Sequence, residues 1–191
     1  AINSSSHMHI NGGDITVVAK DNDGLDANGN LYVNGGVIKA FGTSSPECGI
    51  DANEEGGYSV VFTGGSLLAV GGSNSVPSTS ASTQPYVSGS ITVTAGNQVS
   101  LVSGSDTLAT FTVPSTYTAS AQGGTGGRMA APGGGPGGQG GGPGGGGFGG
   151  RGASLLITCA GLTTGQTYTL TNGTASASVT ATLRGSSGGR W

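Results

Sequence analysis

The sequence predicts an all-β protein whose first part is a parallel β-helix, a solenoid in which short strands of successive coils stack on one another. Three observations support this prediction. One motif occurs three times within residues 1–72, its apolar positions alternate with polar ones, and the copies lie 23 to 29 residues apart. Alternation with a period of two indicates strands, and a repeat of this length with two short strands per copy is typical of a solenoid.

Each copy opens on an aliphatic residue followed by Asn or Asp and later carries a Gly-Gly pair. The opening pairs are Ile2-Asn3, Leu25-Asp26 and Ile50-Asp51, and the glycine pairs are Gly12-Gly13, Gly35-Gly36 and Gly64-Gly65. Four apolar columns then align: Met8 with Leu31 and Val60, Ile10 with Val33 and Phe62, Ile15 with Ile38 and Leu67, and Val17 with Ala40 and Ala69. We expect these columns to face inward and to stack about 4.8 Å apart, with His9, Thr16 and Lys39 outside.

The rest of the chain divides into three parts. Residues 73–122 begin with a Ser/Thr/Pro-rich loop at 73–85, and strands are predicted at 91–94, 99–102 and 108–113, with hairpin turns at Gly96-Asn97 and Gly104-Ser105. Residues 123–152 are a Gly/Pro-rich insertion with 19 glycines. Residues 153–191 hold C-terminal strands at 154–158, 167–171 and 176–183, and then a tail.

The glycine-rich insertion buries too little apolar surface to offset its backbone entropy, so we expect a flexible surface loop. The alternative is that it docks against this chain or against a neighbouring copy. The chain also begins inside a repeat, at Ala1-Ile2-Asn3. We therefore expect upstream coils, and any export signal, to have been removed.

Composition and charge narrow the class of partner. The chain has 42 glycines and only 8% charged residues, which is typical of a secreted, turn-rich β protein, and no apolar run approaches the roughly 18 residues of a membrane span. Residues 1–55 contain eight of the nine acidic residues and two lysines, Lys20 and Lys39. Nucleic acid is not expected as a partner because the repeats have no basic stripe, whereas a metal cation is.

The acidic residues concentrate at the turns into the second and third coils. Asp21, Asp23 and Asp26 lie at the first of these turns, and Glu47 and Asp51 lie at the second. If Asp26 stacks on Asp51 at about 4.8 Å, their repulsion is about 3 to 4 kcal/mol at an effective dielectric constant of 20. A bound cation, a raised pKa or splaying into solvent would relieve it. Carboxylates without His or Cys suit calcium, so we predict Ca²⁺ at these five residues, with a solvated acidic turn as the alternative.

Two cysteines, Cys48 and Cys159, are compatible with one disulfide or with two buried thiols. For catalysis we predict no residues. A polysaccharide lyase on this scaffold would need a Lys or Arg base, and Lys20, which adjoins Asp21, is more simply a surface lysine. His7 and His9 have no acid or nucleophile beside them, and we expect them on the outside of a strand.

Several segments carry a family resemblance. DNDGLDANGNLYVNGGVIKAFG at 21–42, ECGIDANEEGGYSVVFTGGSLLAVGG at 47–72, the glycine-rich insertion and LLITCAGLTTGQTYTL at 155–170 together resemble the bacterial carbohydrate-binding domain-containing β-helix proteins. The resemblance implies a secreted, right-handed parallel β-helix that carries calcium and binds cellulose and acidic plant polysaccharides without established catalysis. The family's D-G-[IL]-[DH] turn falls on residues 23–26 and again on residues 48–51, where Cys48 stands in place of the usual acid.

The sequence therefore predicts a non-catalytic extracellular carbohydrate-binding protein in which calcium assists the binding of an acidic or plant-cell-wall polysaccharide. Two alternatives remain. One is a self-assembling subunit of an extracellular or cell-surface filament, joined through coil ends or through the glycine-rich segment. The other is a calcium-dependent polysaccharide lyase.

Overall fold

A computed structural model of the 191-residue chain describes residues 1–118 and 153–183. This part of the chain is all-β, with one short 3-10 helix at Glu54–Gly56 and no α-helix. None of its helices has the length and apolarity that a membrane span requires. The predictions for the glycine-rich insertion at 123–152 and for the C-terminal tail from residue 184 lie outside the described residues.

Within residues 1–118 and 153–183, thirteen strands form three sheets. The repeat region contributes β1 (Ile2–Ser4), β2 (Met8–Val18), β3 (Leu25–Ala27), β4 (Leu31–Phe41), β5 (Ile50–Ala52), β6 (Val60–Phe62) and β7 (Ser66–Gly71). The later strands are β8 (Tyr86–Ile91), β9 (Gln98–Ser103), β10 (Asp106–Thr112), β11 (Ala153–Thr158), β12 (Thr167–Asn172) and β13 (Ala175–Thr180). Sheet 1 has the order β1-β3-β5, sheet 2 the order β2-β4-β7-β11-β8 with β6 also paired to β4, and sheet 3 the order β10-β9-β12-β13.

The predicted alignment of the three repeats is confirmed by the strand register. In sheet 1, β3 pairs in parallel with β1 and with β5, so Asp26 lies between Asn3 and Asp51. In sheet 2, β4 pairs in parallel with β2 on one side and with β6 and β7 on the other. All four apolar columns predicted from the sequence are register partners in these ladders.

The inward columns form a core between sheets 1 and 2. Its fully buried side chains include Leu25, Leu31, Val33, Ile38, Ile50, Val60, Phe62 and Leu67. Gly35 lies in β4, two residues after the buried Val33. The stacking of the repeats requires glycine there, because a Cβ at this position would lie 2.7 Å from the Asn11 carbonyl oxygen of the preceding repeat. On the outer face, Lys39 pairs with Asp14 across β4 and β2 at 2.8 Å.

A second core lies between sheets 2 and 3. Leu68 is the register partner of Lys39, yet it is fully buried, because the antiparallel sheet 3 covers the outer face of β7. Sheet 3 contributes Val99, Leu101, Phe111 and Leu170 to this core. The third repeat thus departs from the apolar-in, polar-out alternation of the first two, and its consecutive apolar residues at 67–70 reflect burial on both faces.

One predicted hairpin is wrong. The predicted strand at 91–94 does not form; the strand before this turn is β8, which ends at Ile91. β8 belongs to sheet 2, whereas β9, after the turn, belongs to sheet 3. The turn at Gly96-Asn97 therefore crosses between sheets, and Val113 holds it by accepting from the Gly96 N–H at 3.0 Å and donating to the Asn97 carbonyl at 2.9 Å. The hairpin at Gly104-Ser105 is confirmed, since β9 and β10 are antiparallel neighbours.

Residues 73–85 contain no strand, as predicted, but they cover the edges of β5 and β6. The Asn74 Oδ1 atom accepts from the backbone N–H groups of Gly49 and Ile50 at 2.9 and 3.1 Å. The Ser75 and Ser82 hydroxyls accept from Ala52 and Phe62 at 3.0 and 3.1 Å. Side-chain oxygens thus satisfy edge donors that would otherwise stay open to another strand. Antiparallel β11, between β7 and β8, completes the end of the parallel stack.

Candidate metal-binding site

Sheet 1 turns one row of polar side chains outward. Asp26 lies between buried Leu25 and Ala27, and Asp51 lies between buried Ile50 and Ala52, so both half-buried carboxylates project from the same face. The two aspartates are direct register partners, which confirms the predicted stacking. Asn3 Nδ2 donates to Asp26 Oδ2 at 3.1 Å, and Ser75 Oγ donates to Asp51 Oδ1 at 2.8 Å. Neutral polar groups therefore flank the acidic pair at both ends.

The acidic pair lies in an open depression of about 470 Å³. Its lining residues are Asp26, Ala27, Asn28, Asp51, Ala52, Asn53, Glu54 and Glu55. Four acidic residues and two asparagines therefore line one depression. Glu54 and Glu55 were not among the predicted ligands, although the sequence contained a signal for them: they lie in the residues inserted into the third repeat at 54–58.

Asp23, one of the predicted calcium ligands, instead stabilises a turn of the backbone. Its side chain is only 8% exposed, and Asp23 Oδ1 accepts from the Cys48 backbone N–H at 2.6 Å. Asp23 therefore fixes the turn into the third repeat and does not line the depression. Glu47 lies near Asp23, whose carboxyl group contributes to the raised pKa of Glu47, and Asp21 is exposed. Of the five predicted ligands, the depression brings together Asp26 and Asp51.

Cys48 and Cys159 are buried free thiols, so of the two alternatives left open by the sequence the structure has the unpaired one. The Cys48 thiol donates to the Ile50 carbonyl at 3.0 Å. Burial, and then the charge of Asp23, raise the pKa of Cys48 well above its ordinary range. The residue that replaces the expected acid at this turn is therefore a buried, hydrogen-bonded thiol that does not line the depression.

The carboxylates of this region carry an unfavourable concentration of charge. Desolvation, followed by the charges of Asp23 and Asp51, raises the pKa of Asp26. Desolvation, followed by its interactions with Asp23, raises the pKa of Glu47, with smaller effects of Asp51 and Asp26. In each case the folded protein disfavours the ionised form, which a proton or a cation would relieve.

These raised pKa values predict that acid stabilises the calcium-free protein. A carboxyl with a raised folded-state pKa binds more protons in the folded than in the unfolded chain, so its contribution to stability is complete below the unfolded pKa, near pH 4, and is lost as the pH rises through the folded pKa. We expect chemical denaturation in EDTA to give a free energy of unfolding that increases as the pH falls from 7 towards 5. Asp26→Asn should reduce this increase, and an unchanged profile in that variant would contradict the assignment.

The donor chemistry of the depression fits calcium. Carboxylate and amide oxygens are hard ligands, and calcium accepts six to eight of them, water included, in flexible geometry. Within residues 1–118 and 153–183 no three His, Cys, Asp or Glu side chains converge as a ready-made metal site. A calcium ion here would therefore be held by Asp26 and Asp51, with its other positions filled by amide oxygens, the two glutamates or water.

Comparisons with protein-family models, with curated proteins and with solved structures gave no match for this chain. Functional conclusions therefore depend on its own residues and on the geometry of the depression.

Proposed function

We propose that the chain is a non-catalytic, extracellular carbohydrate-binding protein in which calcium at Asp26 and Asp51 bridges the protein to an acidic polysaccharide. One observation carries this proposal: two aspartates stack in register within an open depression that two further glutamates line. Without a cation this surface repels a polyuronate, whereas with calcium it offers free coordination positions to sugar carboxylates and hydroxyls.

We also propose that residues 1–72 form a parallel β-helix. Its support is the pairing of two sets of short parallel strands, one in sheet 1 and one in sheet 2, around a common apolar core. In this arrangement each coil places one residue of the outward row directly on that of its neighbour. The turn composition and the family resemblance of residues 21–42 and 47–72 support an extracellular bacterial protein of this class.

The basic residues of the repeats favour binding over elimination chemistry. A lyase needs a Lys or Arg base beside its calcium site, and none of the described residues that line the depression is basic. Lys39 is paired with Asp14 on the outer face of sheet 2, and Lys20 is exposed in the turn before Asp21. The depression thus supplies cation ligands without a proton acceptor of the lyase type.

The test is retention on immobilised polygalacturonate. We expect the protein to be retained in millimolar calcium and released by EDTA, because the polymer binds through the cation. Asp51→Asn and Asp26→Asn should abolish retention, whereas Asp106→Asn, which changes an exposed acid in sheet 3, should not. Equal retention in calcium and in EDTA, or no effect of the two sheet 1 variants, would contradict the proposal.

A second candidate function, self-assembly by coil stacking, is favoured by a specific feature of the first repeat. A Cβ built on Gly35 or Gly64 would lie 2.7 or 2.5 Å from a carbonyl oxygen of the preceding repeat, whereas one built on Gly12 meets nothing within 4 Å. Gly12 also has no positive φ, so nothing within the described chain requires glycine there. β2, the edge strand that contains it, has neither Lys nor Pro to protect it from pairing. A coil stacked on this edge, either from upstream residues of the same protein or from a second copy, would explain the glycine.

If copies of the chain associate through this edge, a substitution there should reduce association without reducing the stability of the fold. Sedimentation velocity should show oligomers that increase with protein concentration, and Gly12→Ala should suppress them with an unchanged melting temperature. The matched variant Gly35→Ala should instead destabilise the fold by about 1 to 3 kcal/mol, because its Cβ meets backbone. Monomers alone at every concentration would eliminate this candidate.

A further inference from the structure

Both histidines of the chain and its two incompletely buried tyrosines gather in one patch on the outside of the repeats. His7 and Tyr58 have ring centroids 5.5 Å apart, His9 and Tyr32 have theirs 4.3 Å apart, and His7 and Tyr32 have theirs 6.3 Å apart. His7 and His9 are exposed, and Tyr58 is 40% exposed. The other three tyrosines, Tyr86, Tyr117 and Tyr168, are buried. We name His7, His9, Tyr32 and Tyr58 the aromatic patch.

Contacts within the protein hold three rings of this patch, those of His7, His9 and Tyr32, in place. His9 and Tyr32 are register partners in β2 and β4, and their planes are 12° from parallel. Asn30 fixes two further groups, because its backbone N–H donates to His7 Nδ1 at 2.9 Å and its Nδ2 donates to the Tyr32 hydroxyl at 2.8 Å. A preorganised surface loses little conformational entropy when it binds.

The patch combines apolar ring surface with polar edges. Because His7 Nδ1 accepts a hydrogen bond, the neutral ring carries its proton on Nε2, and within the described residues this N–H makes no hydrogen bond. The Tyr58 hydroxyl is also without a hydrogen bond inside that part of the chain. A pyranose ring has matching chemistry: its C–H face packs on an aromatic ring, and its hydroxyls accept and donate at the rim.

The patch and the acidic depression share one segment. Glu54 and Glu55 line the depression, and Tyr58 closes the same short insertion, with its backbone N–H donating to the Asn53 carbonyl at 3.0 Å. Asn53 also lines the depression, and its Nδ2 donates to the Asn28 carbonyl at 3.3 Å. A polymer that reaches the acidic pair can therefore continue over the insertion onto the rings. Nucleic acid, which also stacks on aromatic rings, is disfavoured because the nearby charges are acidic.

We propose that the aromatic patch is a sugar-stacking subsite that holds a pyranose residue of the polysaccharide beside the calcium-binding depression. The identity of the neighbouring charged residue rests on the proposed function, but the stacking itself does not. Ring contact depends on the C–H face of the sugar, so the patch accepts neutral pyranoses as well as uronates. His7, His9 and Tyr58 are its exposed members, and Tyr32 supports His9 from the adjacent strand.

Two probes and one matched pair of variants test this subsite. In calcium, isothermal titration with hexagalacturonate should show about tenfold weaker binding for Tyr58→Ala, whereas Tyr58→Phe, which keeps the ring, should stay within about twofold. Calcium affinity without sugar should be the same in all three proteins. In EDTA, cellohexaose should shift the side-chain NMR signals of His7 and His9, the only histidines of the chain. If Tyr58→Ala lowers the melting temperature, His9→Ala replaces it in every comparison.

The outcomes separate the subsite from the proposed function. If Tyr58→Ala binds hexagalacturonate as wild type does while Asp51→Asn fails to bind, the subsite is wrong and the calcium site stands. Suppose instead that wild type does not bind hexagalacturonate, while cellohexaose shifts the histidine signals of wild type but not those of Tyr58→Ala. The subsite then stands and the calcium-bridged function is wrong. Absence of any histidine shift with either sugar overturns the subsite.

Discussion

Replacement of Ile38 by alanine is expected to lower the free energy of unfolding by about 2 to 5 kcal/mol. Ile38 is fully buried between Ile15 and Leu67, its register partners in the preceding and following repeats. Truncation removes apolar surface from the core and leaves a cavity that rigid backbone on both sides cannot close. Urea denaturation followed by circular dichroism measures the change.

The matched control is Val37→Ala. Val37 precedes Ile38 in β4 but faces outward and is 41% exposed, so its truncation should change the free energy of unfolding by about 0.5 kcal/mol or less. Equal losses from the two variants would mean that the inward and outward faces of β4 are misassigned. Because a one-residue slip exchanges the two faces of a strand, this pair tests the register of the repeats.

Calcium is expected to stabilise the folded protein by about 2.7 kcal/mol at a concentration one hundred times its dissociation constant. The unfolded chain does not keep Asp26 beside Asp51, so the ion binds the folded state preferentially. Asp26→Asn/Asp51→Asn should lose this stabilisation. In EDTA at pH 7 the double variant should be at least as stable as wild type, because it removes both the desolvated charge and the repulsion from Asp51 that raise the pKa of Asp26.

Thermal unfolding with calcium and with EDTA measures both effects in one experiment. Asp106→Asn, on sheet 3, serves as the control and should respond to calcium as wild type does. A double variant that calcium still stabilises fully would place the ion elsewhere. A double variant that is much less stable than wild type in EDTA would show that the two aspartates are structural and not mutually repulsive.

The stacking of the repeats could be predicted because the same inward positions recur in each copy. Alternation fixes which residues face inward, and the three copies fix the register, so Ile15, Ile38 and Leu67 align without knowledge of the rest of the fold. The pairing of Asp26 with Asp51 follows from the same register. Local pattern and tertiary structure agree wherever a repeat contacts only its neighbours.

Other features depend on contacts that the repeat does not encode. Leu68 is buried because a separate antiparallel sheet covers β7, and the turn at Gly96-Asn97 joins two sheets because its hydrogen bonds go to Val113. Glycine and asparagine mark a turn, but not which strands it joins.

The candidate site likewise combines features that the sequence predicts with features that depend on tertiary contacts. The position of Asp23 in the sequence suggested a cation ligand, yet its carboxylate accepts a hydrogen bond from the backbone N–H of Cys48. Glu54 and Glu55 join Asp26 and Asp51 only because the insertion places them along the same depression. The aromatic patch depends on pairs that cross strands, such as His9 with Tyr32, and so could be found only once the register placed the rings together.

The most direct test of calcium binding at the acidic pair is a crystal structure of the protein grown in calcium, with anomalous diffraction to identify the ion. We expect one calcium ion in the depression, within about 2.3 to 2.6 Å of a carboxylate oxygen of Asp26 and of Asp51. A depression without an ion at saturating calcium, or calcium bound only away from these two residues, would contradict it.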